Sequence, residues 1–199
     1  MLFRGIVTGF DGFDRRLAGR NDGLYREATA KIYGLMKDIQ FVDGATDAEQ
    51  LRFAVVVSVY HRVITEALRD GAVDALRQAG AVSNEQFDPI TIIEVPGAFE
   101  IPFAARRAAG TGLFDAVVCV GCIVRGETPH FEFIASAVAH GITMASQLSG
   151  VPITFGVLTT NNEREAEERS SGDNSNKGRE AALAAVQLAN VIAKLPQGK

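Results

Sequence analysis

Of the three histidines in this 199-residue chain, His130 falls where chemistry is easiest to build. It closes the hexapeptide Arg125-Gly126-Glu127-Thr128-Pro129-His130. The apolar run A-V-V-C-V-G-C-I-V precedes it, and a stretch of helical spacing, F-E-F-I-A-S-A-V-A, follows. Thr128 at an N-cap with Pro129 at the first helical position is a strong helix start. The next backbone N–H groups then point out of the positive end of the helix, a ready anion site. Gly126 lets the backbone approach a ligand closely. An imidazole beside that turn can pass protons in either direction. A lone histidine more often caps or packs, but the strand-end position beside an anion-binding turn favours function here.

Other candidates are weaker alone. P-G-A-F-E-I-P (96–102) places Phe99 and Glu100 after a Pro-Gly turn, an aromatic and a carboxylate suited to a polyhydroxylated or heterocyclic ligand. Arg169 and Lys177 flank a polar connection, S-S-G-D-N-S-N, and could reach an anion held at the Thr128 turn, Arg bidentately and Lys as a point charge. Cys119 and Cys122 have C-x-x-C spacing but lie inside an apolar run, so they read as small buried residues. His61, His130 and His140 lack any metal-ligand spacing, and metal binding is rejected. Neither G-x-x-x-x-G-K-[ST] nor G-x-G-x-x-G occurs, so nucleotide-fold readings lack their phosphate loop.

The elements that must position these residues alternate regularly. Strands are expected at F-A-V-V-V-S-V, 90–95, 116–122 and 153–158. Between and after them come a helix with Val63, Ile64, Leu68, Val73 and Leu76 on one face, then helices over 98–109, 130–149, 163–170 and 178–194. Such βα units imply a parallel sheet with right-handed crossovers. Ligands bind beyond the C-terminal ends of such strands, which brings S-V-Y-H (58–61), P-G-A-F-E (96–100), R-G-E-T-P-H (125–130) and T-T-N-N (159–162) to one rim. Residues 1–50 have too few apolar side chains for a core of their own. They read as an N-terminal extension with one helix around Leu24 to Lys37 and a linker at 43–50, ahead of a domain over 51–199.

A hydrophobic fraction of 47% supports one full core, and a net charge of -4 without a basic run argues against nucleic acid. No apolar run reaches membrane-span length, and the acidic N-terminus fits neither a secretory signal nor a transit peptide, so a soluble cytoplasmic protein is expected.

Taken together, V-P-G-A-F-E-I-P, D-A-V-V-C-V-G-C-I-V-R-G-E-T-P-H-F-E-F, P-I-T-F-G-V-L-T-T and N-K-G-R-E-A-A-L-A-A-V-Q-L-A-N resemble the lumazine synthase (6,7-dimethyl-8-ribityllumazine synthase) family over about residues 52–195. The resemblance implies a flavodoxin-like three-layer α/β/α fold with a four-stranded parallel sheet. It also implies pentamers with active sites between subunits, able to build a sixty-subunit icosahedral shell. The implied reaction condenses 5-amino-6-(D-ribitylamino)uracil with 3,4-dihydroxy-2-butanone 4-phosphate without a metal or redox cofactor. Riboflavin synthase is a candidate partner beyond the small-molecule substrates.

By the same resemblance, His130 transfers protons, and Glu127, Thr128, Arg169 and Lys177 hold phosphate. Tyr60, Ala98, Phe99, Glu100, Cys122, Ile123, Val124 and Phe155 face the pyrimidine and ribityl groups. Phe155 and Arg169 complete the site from the subunit edge or across it. Two departures stand out: Val59-Tyr60-His61 replaces the family's usual Arg-Phe-Asn, and Ser171-Gly172-Asp173 replaces Gly-Thr-Lys. The alternatives are a non-catalytic lumazine- or flavin-binding member of the fold and a protein whose shell is its function.

Overall fold

The structure, a computed structural model, describes residues 42–172 and 175–196. The helix expected over Leu24 to Lys37 and the substitution at Asp173 lie outside the described residues.

Four strands, β1 (Phe53–Ser58), β2 (Ile90–Val95), β3 (Ala116–Val124) and β4 (Ile153–Thr160), form one parallel sheet in the order β2-β1-β3-β4. Five helices connect or follow them: α1 (Arg62–Gln78), α2 (Ile101–Ala109), α3 (His130–Ser149), α4 (Glu163–Ser170) and α5 (Lys177–Lys194). A short 3₁₀ turn at Ala98–Glu100 leads into α2. This strand order is the flavodoxin-like one without a fifth strand. The inner strands β1 and β3 are buried along nearly their whole length, which explains their unbroken apolar sequence.

Alternate strand residues face opposite sides, and the core divides accordingly. Phe53, Val55 and Val57 of β1 pack with Leu68 and Leu76 of α1, Ala166 of α4, and Ala182 and Val186 of α5. Ala54 and Val56 pack with Ile101 and Ala105 of α2 and with Val138 and Ile142 of α3. The result is three layers, helices on both faces of the sheet. α1 and α5 approach so closely that a Cβ built on Gly178 would strike the backbone of Leu68.

Two local expectations differ. Val63 is 81% exposed, whereas Ile64, Leu68, Val73 and Leu76 are buried. Val63 lies about 100° around the helix from Ile64, in the first turn, outside the buried stripe. The 43–50 stretch, expected as a linker, is attached to the domain. Ala48 is fully buried and its N–H donates to the Ala79 carbonyl at 2.7 Å. The Asn190 carboxamide donates to the carbonyls of Ala45 and Asp47, at 3.2 and 2.8 Å. Lys194 Nζ meets Asp43 at 2.9 Å, and its hydrogen bond and charge hold that carboxyl below the usual range. Among the described residues, no helix is long and apolar enough to cross a membrane.

Candidate active site

At the end of β1, the Val59 N–H donates to the Val95 carbonyl at 2.9 Å, which keeps the loops after β1 and β2 side by side. Tyr60 is 67% exposed and meets the His61 ring edge-on, with centroids 4.6 Å apart. His61 takes a left-handed conformation (φ 58°) as the residue before α1. Its Nδ1 lies 3.6 Å from Oε1 of Glu163, at the start of α4. After β2, Ala98 is buried while Phe99 stays 57% exposed. Glu100 curls back over the preceding turn: a Cβ on Gly97 would sit 3.0 Å from its Oε2.

β3 runs two residues beyond its expected end because Ile123 and Val124 pair with Thr159 and Thr160 of β4, polar residues that hide a strand from apolar patterning. Cys122 and Ile123 are buried and Val124 half-buried. Burial, and secondarily the Glu163 carboxylate, push the Cys122 thiol up to about 12. Burial also raises Cys119. The two cysteines belong to opposite core layers, so their spacing serves packing.

The turn from Arg125 to His130 bounds a cavity of about 240 Å³, lined by Arg125, Gly126, Glu127, Thr128, Pro129, Phe131 and Glu132. The expected Thr128 cap does not form. α3 starts at His130, Pro129 already has helical angles (φ -63°, ψ -3°), and no side chain caps this end. The proline, fixed near this φ, takes the cap position itself, and the Glu132 N–H donates to its carbonyl at 3.0 Å. The other two helices that begin after β4 are sealed differently. Asn162 Oδ1 accepts from the Glu165 N–H at 2.9 Å; Asn176 Oδ1 accepts from the Gly178 and Arg179 N–H groups at 2.9 and 3.0 Å. The start of α3 therefore keeps its positive end open, with the exposed His130 imidazole on its first residue. Beside it the Arg125 guanidinium lies 5.3 Å over the Phe131 ring and 3.5 Å from Glu132.

A second groove of about 520 Å³ lies along the outer edge of β4. Thr154 to Thr159, Arg169, Lys177, Glu180, Ala181 and Ala184 line it. Phe155 is 45% exposed there. Arg169 Nη1 donates to the Glu165 carbonyl at 2.8 Å, while Lys177 Nζ meets the Glu180 carboxylate at 2.7 and 2.8 Å. The Asn161 N–H is the main cause that holds the Glu165 carboxyl below the usual range; the Asn161 side chain and the Arg169 charge add to it.

Within one chain, the structure therefore brings Phe155, Arg169 and Lys177 together, and separately Glu127 and Thr128 with His130 next to them in the chain. The two cavities share no lining residue. Tyr60, Ala98, Phe99, Glu100, Cys122, Ile123 and Val124 lie at the ends of β1, β2 and β3. Asn176, Glu163 and Glu180 emerge only from the coordinates. An Asn directly before a helix that opens Lys-Gly was the available signal for the first. The i,i+3 spacing from Lys177 was the signal for Glu180. Among the described residues, no three His, Cys, Asp or Glu side chains gather into a metal-binding group.

Chemically, the rim offers two exposed aromatic rings at neighbouring strand ends, a helix start suited to an oxyanion, and an imidazole at that start. The far edge offers two cations and a ring. The sequence profile of the 6,7-dimethyl-8-ribityllumazine synthase family matches residues 50–193. A protein of Chlorobium luteolum described as 6,7-dimethyl-8-ribityllumazine synthase is 44% identical over 153 residues, spanning 77% of this chain and 96% of that relative. With this fold and this rim, the chain belongs to the 6,7-dimethyl-8-ribityllumazine synthase family.

Proposed function

We propose that the chain is a transferase that condenses 5-amino-6-(D-ribitylamino)uracil with 3,4-dihydroxy-2-butanone 4-phosphate. The products are 6,7-dimethyl-8-ribityllumazine, phosphate and two waters, in the penultimate step of riboflavin formation. The pyrimidine's primary amine attacks the ketone carbon and water leaves as the imine forms. Removal of a carbon-bound proton expels phosphate. The ribitylamino nitrogen then closes the second ring with loss of the second water. His130 carries protons between these steps, and the start of α3 at Glu127 and Thr128 receives the phosphate. Tyr60, Ala98, Phe99, Glu100, Cys122, Ile123 and Val124 frame the pyrimidine and its ribityl chain.

The single observation that carries this reading is the uncapped start of α3 with His130 as its first residue. An oxyanion satisfies N–H groups that no side chain reaches, and the imidazole stands beside it. Phe155, Arg169 and Lys177 reach the same substrates from a neighbouring subunit, because in their own chain they line a different cavity. The working form is thus a homopentamer, able to close into an icosahedral shell. It acts in the cytoplasm and supplies lumazine to riboflavin synthase.

The test is direct. Purified protein mixed with both substrates forms the lumazine chromophore far faster than the uncatalysed mixture. Binding of lumazine or flavin without turnover would instead assign the chain to a binding role.

A further inference from the structure

Asn176 is 5% exposed and uses its whole carboxamide. Its Nδ2 donates to the carbonyls of Ser170, at 2.5 Å, and Ala67, at 2.9 Å. Its Oδ1 accepts from the first N–H groups of α5. One side chain thus joins the last residue of α4, the first turn of α5 and the middle of α1. The residue before Ser170 is Arg169, and the residue after Asn176 is Lys177. Both line the β4 groove, although five residues, 171–175, separate Ser170 from Asn176 in the sequence.

A connection of this composition, Ser, Gly, Asp and Asn, does not by itself fix the spacing of those two cations. Such backbone costs little to rearrange unless something outside it fixes its ends. Asn176 fixes both. α1 leaves space for it: a Cβ on Gly71 would lie 2.5 Å from the Asn176 carboxamide atoms. Glycine mid-helix is unfavourable against alanine, so its position there has a packing reason.

We propose that Asn176 is the positioning residue for the phosphate-binding cations, fixing the separation of Arg169 and Lys177 through their backbones. It does not touch substrate. This inference rests on the proposed reaction and deepens it: the carboxamide tunes affinity for the phosphate-bearing substrate and leaves the pyrimidine side alone. It also explains why the cations, rather than the start of α5, receive the anion. The N–H groups of α5 that could compete are already taken by Oδ1.

The test is a pair of variants read on both substrates separately. Asn176→Ser keeps a hydroxyl to cap α5 but is too short to hold Ser170 and Ala67 together. Gly71→Ala leaves every groove residue unchanged and pushes a methyl into the carboxamide. For each variant, the expected result is a KM for the butanone phosphate raised about 10-fold, the KM for the pyrimidine within about 2-fold, and inhibition by inorganic phosphate weakened in parallel. Equal rises for both substrates, or unchanged constants in Gly71→Ala, would overturn the positioning role. Should Asn176→Ser fail to fold, Gly71→Ala decides alone. Arg169→Ala is the control for the underlying reading. If it leaves the phosphate-substrate KM unchanged, the phosphate assignment itself has failed; if it raises that KM while Gly71→Ala does not, only Asn176's role has.

Discussion

His61 Nδ1 stands 3.6 Å from a carboxylate oxygen of Glu163, which links the start of α1 to the start of α4 across the strand ends. His61 holds this position in a left-handed backbone conformation, φ 58° and ψ 49°. Asn and His are both enriched in that region, so the departure from the expected Arg-Phe-Asn is compatible with this backbone.

A glycine at 61 tests the strain. The left-handed region costs an L-residue roughly 1–2 kcal/mol, whereas a His–carboxylate contact at the surface contributes roughly 0–1 kcal/mol. His61→Gly is thus expected to leave stability unchanged or raise it by up to about 2 kcal/mol. Chemical denaturation measures this, and a loss of 2 kcal/mol or more would mean that the Glu163 contact dominates.

His130→Ala is expected to slow lumazine formation by roughly 10²–10⁴-fold, the usual contribution of a placed proton-transfer group. His130 is exposed within its own chain and belongs to neither core cluster, and the assembly size measured by light scattering is expected to stay the same. Turnover at the wild-type rate would remove His130 from the mechanism.

Mixed subunits check the intersubunit site. If His130 and Arg169 of one site come from different chains, refolding equal amounts of His130→Ala and Arg169→Ala subunits restores about a quarter of the sites by random neighbour pairing. Activity no higher than the two separate variants would mean that each chain contains a whole site.

The thiols provide a pH test. Burial raises Cys122 from 9.0 to about 12, so the folded chain favours the neutral thiol. That contribution to stability is fully present below the unfolded value and is lost as pH rises from 9 toward 12. At pH 8 the buried thiol is neutral, and an aromatic disulfide reagent should find no reactive thiol until denaturant exposes both. Rapid labelling of the folded protein would contradict the burial of β3.

Much of this architecture is legible in the residues. The runs at β1 and β3 announce themselves because both faces of an inner strand are covered. The turn at 125–130 is visible because Gly, Thr and Pro each have a positional meaning. The order of strands is not encoded in any local pattern, since it depends on where each crossover helix finds a complementary face. Val63 misleads because a periodic apolar residue in a first helical turn can lie beyond the layer that would cover it. Thr128 misleads because Pro129 takes the cap position itself. Asn176 sits in a stretch whose composition reads as a flexible connection; its burial follows from contacts with α1, more than a hundred residues earlier in the chain.

The close seat of α5 on α1 also sets an order of events during synthesis. The stripe on α1 that includes Leu68, Ala72, Ala75 and Leu76 packs in one core with Ala181, Ala182, Ala185 and Val186. Roughly a hundred residues separate the two helices along the chain, so a ribosome adding about 5–20 residues per second leaves that stripe without its partner for roughly 5–20 s. Three of the four strands, β2, β3 and β4, are synthesised during that interval. A message truncated before α5 would therefore yield a sticky, chaperone-dependent fragment instead of a half-active enzyme.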